Sequence, residues 1–435
     1  MRTSKMQTNK KIVMFGAASR FGPGVVESVL RSNELEGSHL VLVDLNIERA
    51  ELLARYGRQR IKTGGLNYKI EVAKAEDRRK ALESADFVIT SLTSGGVEML
   101  AHDIMIPAKY GVYYLAADTV GPGAVFKVLR LGPLFQDICA DMEKICPNAF
   151  LINESNPMSA ICTVVTHGTK IRVMGLCGSL GGFAGKVANF LGVETKDVSV
   201  LVAGINHFIW TREIRVAGQD GHALLRERIA QGKYDPKYEM RAQLFTAFGM
   251  FPLGHVGEHL PATPKTVPEE IKNGNGEIFS AQVARLKDDI WKELAKQTEA
   301  DNPSLNNAKG FTGEFPAMIM AAMIRNKNEL QIVNIPNNGA ISNLPFNAVV
   351  EVPAMLSSTG VKAMCMGEMP LCVAGLMSAH IAQEQLMAKA VLEKSREIAL
   401  QAFLADPCTK LTVADSIKLF KEMFEAEKRC LSRYK

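Results

Sequence analysis

The stretch that most constrains this chain lies near its start. "KIVMF" (11–15) is a short apolar run that stops at Gly16. "GAASRFGPGVVESVLRS" follows, with apolar residues at helical spacing from Val25 to Leu30, and then "HLVLVD" runs to Asp44. Strand, glycine turn, helix, strand, acid is the opening unit of a dinucleotide-binding fold. A helix entered from such a turn aims its first backbone N–H groups at a pyrophosphate. The turn reads Gly16-Ala17-Ala18-Ser19-Arg20-Phe21 rather than GxGxxG. Ser19 therefore offers a hydroxyl where a glycine usually admits the phosphate, and Arg20 is either a phosphate contact or a solvated side chain. Asp44 suits the adenosine ribose hydroxyls and repels a 2′-phosphate, which points to NAD rather than NADP. The competing reading is an α/β sheet with an ordinary tight turn.

Three later stretches repeat the pattern. "ADFVITSLTSGG" (85–96) is a buried strand ending in small residues, with Thr93 at its mouth. "AADTVGPGAVFKVLR" (116–130) and "AFLINESNPMSAICTVV" (149–165) bring Asp118, Thr119 and Asn156 to the same place. Ligands of open α/β sheets bind at the carboxyl ends of the strands, so Thr93 is a candidate cofactor contact. Asp118 and Asn156 are candidate grips for a polyol. Asn, Asp and Gly also populate loops for reasons of turn chemistry alone.

Length and composition bound the class. The chain has 435 residues, 47% apolar and 22% charged, the balance of a soluble globular protein with room for two domains. Its formal net charge of +5 is spread among intermixed signs, and no basic stripe with interleaved aromatics is present, so nucleic acid is not an expected partner. No apolar run reaches the roughly 18 residues of a membrane span. "MRTSKMQTNKK" is basic but lacks the apolar core of a secretory signal. None of the eight cysteines forms a CxxC pair, so free thiols and a reducing cytoplasm are expected.

Cys177 in "VMGLCGSLGG" (173–182) and His207 in "VAGINHFIWT" (202–211) lie about thirty positions apart, each after an apolar run. They are either two halves of a metal site or a buried thiol and a hydrogen-bonded core histidine, and spacing alone favours the second. Beyond Asn206 the rhythm loosens. Residues 238–251, 316–327 and 377–394 read as helices, and 274–303 as a glycine-rich loop that becomes an amphipathic helix. Residues 330–345 read as a strand with an Asn-Gly turn, where Asn337 is a candidate on the rim of the site. The expected fold is α/β. Residues 1–195 form an N-terminal Rossmann-like NAD-binding domain. Residues 196–435 form an interwoven α+β domain for substrate, metal and oligomerisation, with apolar helical faces suited to a homodimer or homotetramer.

Taken in order, "IPAKYGV" (106–112), "DTVGPGAVFKVLR" (118–130), "NPM" (156–158), "GLC" (175–177), "GINHF" (204–208), "NIPNNGAISNLPFNAVVEVP" (334–353) and "LADPCTKL" (404–411) resemble the NAD- and manganese-dependent glycoside hydrolases of family 4. The resemblance covers nearly the whole chain. It implies a lactate/malate dehydrogenase-like fold, NAD and Mn2+ (or another divalent metal) as cofactors, and a small carbohydrate substrate of the α-glucosidase or α-galacturonidase kind. It assigns the metal to Cys177 and His207, with Asn206 among the substrate contacts. It also implies a route: hydride leaves sugar C3 for NAD, a base takes the C2 proton, the C1 substituent is eliminated, water adds and the hydride returns. Such enzymes need no carboxylate pair.

The chain departs from that family pattern in three places. Gly178 follows the metal cysteine where the family carries a functional side chain. "FPLGHVGEHLP" (251–261) holds neither the Asp nor the Tyr used as base, leaving His255 and Glu258. An Arg common near the "SGG" turn is replaced around Thr93-Ser94. The chain thus resembles an atypical member, with His255 as candidate base because a free imidazole titrates near ~6.5. A sugar or sugar-acid dehydrogenase or epimerase, and a non-catalytic NAD-binding relative, are the alternatives. No phosphate-binding cluster is evident, which favours an unphosphorylated sugar or a uronic acid.

Overall fold

The computed structural model describes residues 8–113, 119–177, 182–260, 289–305 and 315–435. The apolar runs of the first half become parallel strands: β1 (Lys11–Phe15), β2 (His39–Asp44), β3 (Lys69–Lys74), β4 (Phe87–Thr90), β5 (Phe150–Asn153) and β6 (Arg172–Gly175). Their order is β3-β2-β1-β4-β5-β6, a doubly wound sheet whose direction of growth reverses between β1 and β4. Every residue of β4 and β5 is buried, as helices on both faces require. Helix Gly22–Arg31 follows the glycine turn and helix Ile47–Gly64 follows Asp44, capped by Asn46, whose side chain accepts from the Arg49 N–H.

The sheet does not stop at β6. The second half contributes β7 (Val198–Ile205), β8 (Phe208–Val216), β9 (Gln219–Asp220), β10 (Pro252–Gly254), β11 (Glu329–Pro336), β12 (Val349–Ser357) and β13 (Gly360–Ala363), completing, among the described residues, a 13-stranded mixed sheet. β11 joins β6 antiparallel at a single position, Asn334 opposite Gly175. β12 runs along β11 over its whole length, and β7 meets β12 only at Gly204 opposite Glu351.

The C-terminal helices fold back over the first half. Phe126 of helix Gly121–Ile145 packs against Phe403, Phe420 and Phe424, with ring centroids 6.1, 5.5 and 6.4 Å away. Beside them Arg130, buried, donates to Asp103 at 3.0 and 2.7 Å and to Glu427. A guanidinium this deep is tolerated only because carboxylates meet it, so the pairing ties three segments together. The helices read from sequence appear as Glu239–Phe248, Phe315–Ile324 and Leu371–Glu393. Residues 289–297 are helical as well, while the start of that stretch lies outside the described residues. All eight cysteines are free thiols. Among the described residues, no helix is long and apolar enough to cross a membrane.

Candidate active site

The loops that build the site leave the carboxyl ends of the parallel strands. Gly16, just after β1, has φ +83°, and a Cβ there would lie 2.1 Å from the Ser91 carbonyl oxygen. No other residue fits a left-handed turn pressed against a neighbouring strand. Asp44 braces that turn, accepting from the N–H groups of Ala18 and Asn46, each at 2.8 Å. Ser19 bonds Ser91 through their hydroxyls at 2.9 Å. Above them opens a cleft of about 430 Å³ that includes Ser19, Arg20, Arg49, Thr93, Asn156 and Trp291 in its walls. The structure thus gathers Ser19, Arg20, Thr93 and Asn156 at one cleft, with Gly16 and Asp44 shaping the turn at its edge. The Arg49 guanidinium lies 5.3 Å from the Trp291 ring centroid, a stacked cation and ring. Neither residue was anticipated. Arg49 stands five positions past the strand-end acid and is readable in retrospect. Trp291 comes from the second half, and no local pattern announces it.

β6 delivers Cys177: the Leu176 N–H bonds the Asn153 carbonyl at 2.9 Å, carrying the chain past the end of β5. His207 arrives from the other side. Ile205 is paired with Phe208, so Asn206 and His207 are the two-residue turn between β7 and β8, and His207 has φ +63°. A non-glycine residue held there is strained and persists only where its surroundings fix it. Those surroundings are visible. Gly254 makes room, since a Cβ on it would stand 2.7 Å from the His207 carbonyl oxygen. The His255 N–H donates to that same oxygen at 2.9 Å.

The His207 ring meets Cys177 by a side-chain hydrogen bond. Its Nδ1 lies 3.3 Å from the Thr119 hydroxyl and 3.7 Å from a Glu258 carboxylate oxygen. Burial works against a charged imidazole, but the bonds and charges of Cys177 and Glu258 outweigh it and raise the ring to about 10. The pocket around this nitrogen is therefore one that attracts a cation. His255 lies 4.8 Å away, centroid to centroid, and burial, with His207 beside it, lowers its proton affinity below the usual imidazole range. Among the described residues no group of three or more His, Cys, Asp or Glu side chains is arranged to hold a metal.

Two cations and one buried acid surround this pair. Lys186 and Arg241 are half-buried, and neither forms an ion pair with a carboxylate among the described residues. Burial, and then the charge of Arg241, lower the proton affinity of the Lys186 ammonium, while Cys177 and Glu351 work against that lowering. Arg241 donates to the backbone carbonyls of Pro252 and Gly254, the latter at 2.9 Å. Glu351 is buried, and burial, followed by the nearby Cys177, pushes its carboxyl up to about 8. Glu154 at the end of β5 is likewise raised to about 8 by burial.

Asn337 is not with these residues. It is fully buried, its amide donates to the carbonyls of Ile341, Leu344 and Pro345 at 3.0, 3.1 and 3.1 Å, and its oxygen accepts from the Ile341 N–H at 2.8 Å. A side chain so fully used pins its own loop and has nothing left for a sugar, which corrects the expectation placed on it. Asp118 and Gly178 lie outside the described residues.

Fold and cleft together define a doubly wound α/β protein of the dinucleotide-binding class. Residues 11–193 match the model of the Family 4 glycosyl hydrolase and residues 202–409 that of the Family 4 glycosyl hydrolase C-terminal domain. The chain belongs to glycosyl hydrolase family 4 and is a glycoside hydrolase. It is 29% identical over 443 residues to an alpha-galactosidase of Bacillus subtilis (strain 168), covering 98% of this chain and 100% of that one. It is 28% identical over 442 residues to an alpha-galacturonidase of the same organism, covering 95% and 97%. Among solved structures, a 6-phospho-alpha-glucosidase from gut microorganisms in complex with NAD and Mn2+ superposes with a TM-score of 0.81 at 21% identity, over 98% of this chain and 100% of that one. Malate dehydrogenase from Plasmodium falciparum shares the fold with a TM-score of 0.54 at 17% identity, over 88% and 99%.

Proposed function

We propose that this chain is an NAD- and divalent-metal-dependent glycosidase that works by oxidation and elimination, and that its glycone carries a negative charge, as a uronide does. The observation that carries the reading is the meeting of Cys177 and His207 from separate strand ends, Cys177 following the strand that pairs with β5, whose own loop brings Asn156 to the cleft. Thiolate and imidazole are metal ligands of borderline softness, and two protein ligands leave the open positions a catalytic ion needs. The backbone around Gly16, with Ser19, Arg20, Asp44 and Thr93, would hold NAD. Bound in these places, NAD supplies a hydride acceptor and the cation a Lewis acid, which together make a sugar C2–H acidic.

The chain's own groups do the rest. Thr119 and Glu258 flank the His207 Nδ1 and orient the ring. His255, kept neutral by its surroundings, takes the C2 proton. Asn156 contacts sugar hydroxyls, and Lys186 with Arg241 receives the carboxylate; Asn206, buried and bonded to Glu351, holds the turn rather than the sugar. Residues 1–195 supply most of the cofactor side and residues 196–435 most of the substrate side, with Asn156, Cys177 and Lys186 reaching the substrate from the first unit and Trp291 the cofactor from the second, in a cytoplasmic homodimer or homotetramer.

The test is release of nitrophenol from aryl uronides and aryl glucosides, with NAD and Mn2+ under reducing conditions, by the wild type and Cys177→Ser. Activity that needs both additions and falls at least ~100-fold in the variant is expected. Full activity without metal, or in Cys177→Ser, overturns the reading. Accumulating NADH without released nitrophenol selects the dehydrogenase instead.

A further inference from the structure

His207 occupies a left-handed conformation at φ +63°, and something must hold it there. One restraint has been described: the His255 N–H bond to its carbonyl, on the side of β10. The opposite side is held by an acid the proposed reaction does not use. Glu351 sits in the middle of β12, in a strand whose neighbours Val350 and Val352 are fully buried, and is itself 1% exposed. It faces Gly204 across one strand boundary and Asn334 across the other. Gly204 lies three residues before His207, and Gly175, opposite Asn334, lies two before Cys177.

Across 145 positions of sequence, the Asn206 amide donates to Glu351 Oε2 at 3.2 Å. Asn206 is the other residue of the His207 turn and is also 1% exposed. The remaining oxygens of the pair, Asn206 Oδ1 and Glu351 Oε1, are buried and have no hydrogen-bond partner among the described residues. A carboxyl group buried in a sheet interior, which bonds Asn334 on one side and, on the other, Asn206 in the turn that holds the strained His207, braces that turn.

The geometry points to Glu351 as a positioning residue: through Asn206 it locks the Asn206–His207 turn so that the imidazole is presented to Cys177, and it thereby sets the affinity of the site for a divalent cation. This rests on the assignment of Cys177 and His207 as metal ligands. The hydrogen bond, not the charge, is the working part. Gln offers the same acceptor at the same reach, whereas Leu fills the space and offers none.

The experiment measures Mn2+ binding to the full-length protein, without substrate, by the loss of the free-ion EPR signal. NADH binding, by fluorescence, is the control for the fold. Glu351→Gln should bind Mn2+ within about 3-fold of wild type. Glu351→Leu and Asn206→Ala should each weaken it about 10- to 100-fold, with NADH affinity unchanged. The double variant should be no worse than the weaker single one, because both remove the same bond. Wild-type Mn2+ affinity in Glu351→Leu, loss in Glu351→Gln equal to that in Glu351→Leu, parallel loss of NADH binding, or additive effects each overturn the proposal. If the wild type itself binds no Mn2+, or Cys177→Ser binds it as well, the underlying metal reading fails and this proposal with it. Failure confined to the Glu351 and Asn206 variants leaves that reading intact.

Discussion

The His255 N–H donates to the carbonyl of His207 at 2.9 Å, and the two imidazoles lie 4.8 Å apart, centroid to centroid. One residue of this pair is drawn toward positive charge by Cys177 and Glu258, and the other is kept neutral by burial and by its neighbour. In the proposed mechanism, opposite tendencies in one pocket divide the work, His207 holding the cation and His255 accepting the proton. His255→Ala should therefore lose about 10²- to 10⁴-fold in kcat and stop deuterium exchange at C2 of recovered sugar, while retaining Mn2+ binding. Undiminished exchange would remove His255 as the base.

Gly16 tolerates no side chain. Its Cβ would meet the Ser91 carbonyl oxygen at 2.1 Å, so Gly16→Ala must push β1 and β4 apart at the point where the pyrophosphate is expected. A destabilisation of about 1–3 kcal/mol and at least ~10-fold weaker NADH binding are the expected outcomes, read by thermal melting and fluorescence titration. Wild-type affinity in this variant would place the dinucleotide elsewhere.

Lys186 and Arg241 distinguish charged from neutral glycones. A charge-assisted contact is worth about 1.5–3 kcal/mol, so Lys186→Met should raise KM for an aryl uronide about 10- to 100-fold. The KM for the matching aryl glucoside should barely change. Equal effects on both substrates would show that Lys186 does not read the charge.

The stability of the fold should fall as the medium becomes alkaline through neutrality. Glu384, in helix Leu371–Glu393, accepts from the Ser159 hydroxyl, and burial pushes its carboxyl up to about 7 from 4.5. The folded chain binds this proton more tightly than the unfolded chain. Its contribution is therefore full below about pH 4.5, declines as pH rises through about 7, and amounts to as much as about 3 kcal/mol. Glu384→Gln should shrink the difference in Tm between pH 5 and pH 8, leaving the similar slopes of Glu154 and Glu351, both raised to about 8. An undiminished difference would contradict the assignment.

Much of the first half was readable because its signals are local. β1 and β2 end where their apolar runs end, at Phe15 and Asp44, and Gly16 announces its turn by standing directly after a strand. Cys177 and His207 were found by resemblance, not by spacing, because the sheet that joins their strands passes through β11 and β12, far along the chain. Asn337 misled because a side chain that stitches a loop and one that grips a ligand are the same residue type in a polar turn. Arg49, Trp291, Lys186 and Glu351 were missed for a shared reason: each acquires its meaning from a neighbour brought in by tertiary folding.

The single-rung contacts of the sheet, Asn334 with Gly175 and Glu351 with Gly204, bear on how much the loops beyond them can vary. Gly175 lies two residues before Cys177 and Gly204 three before His207, so each rung anchors the start of the loop that carries one of them. A change of length in either loop would therefore move the thiol or the imidazole itself, so the two rungs fix where these side chains meet.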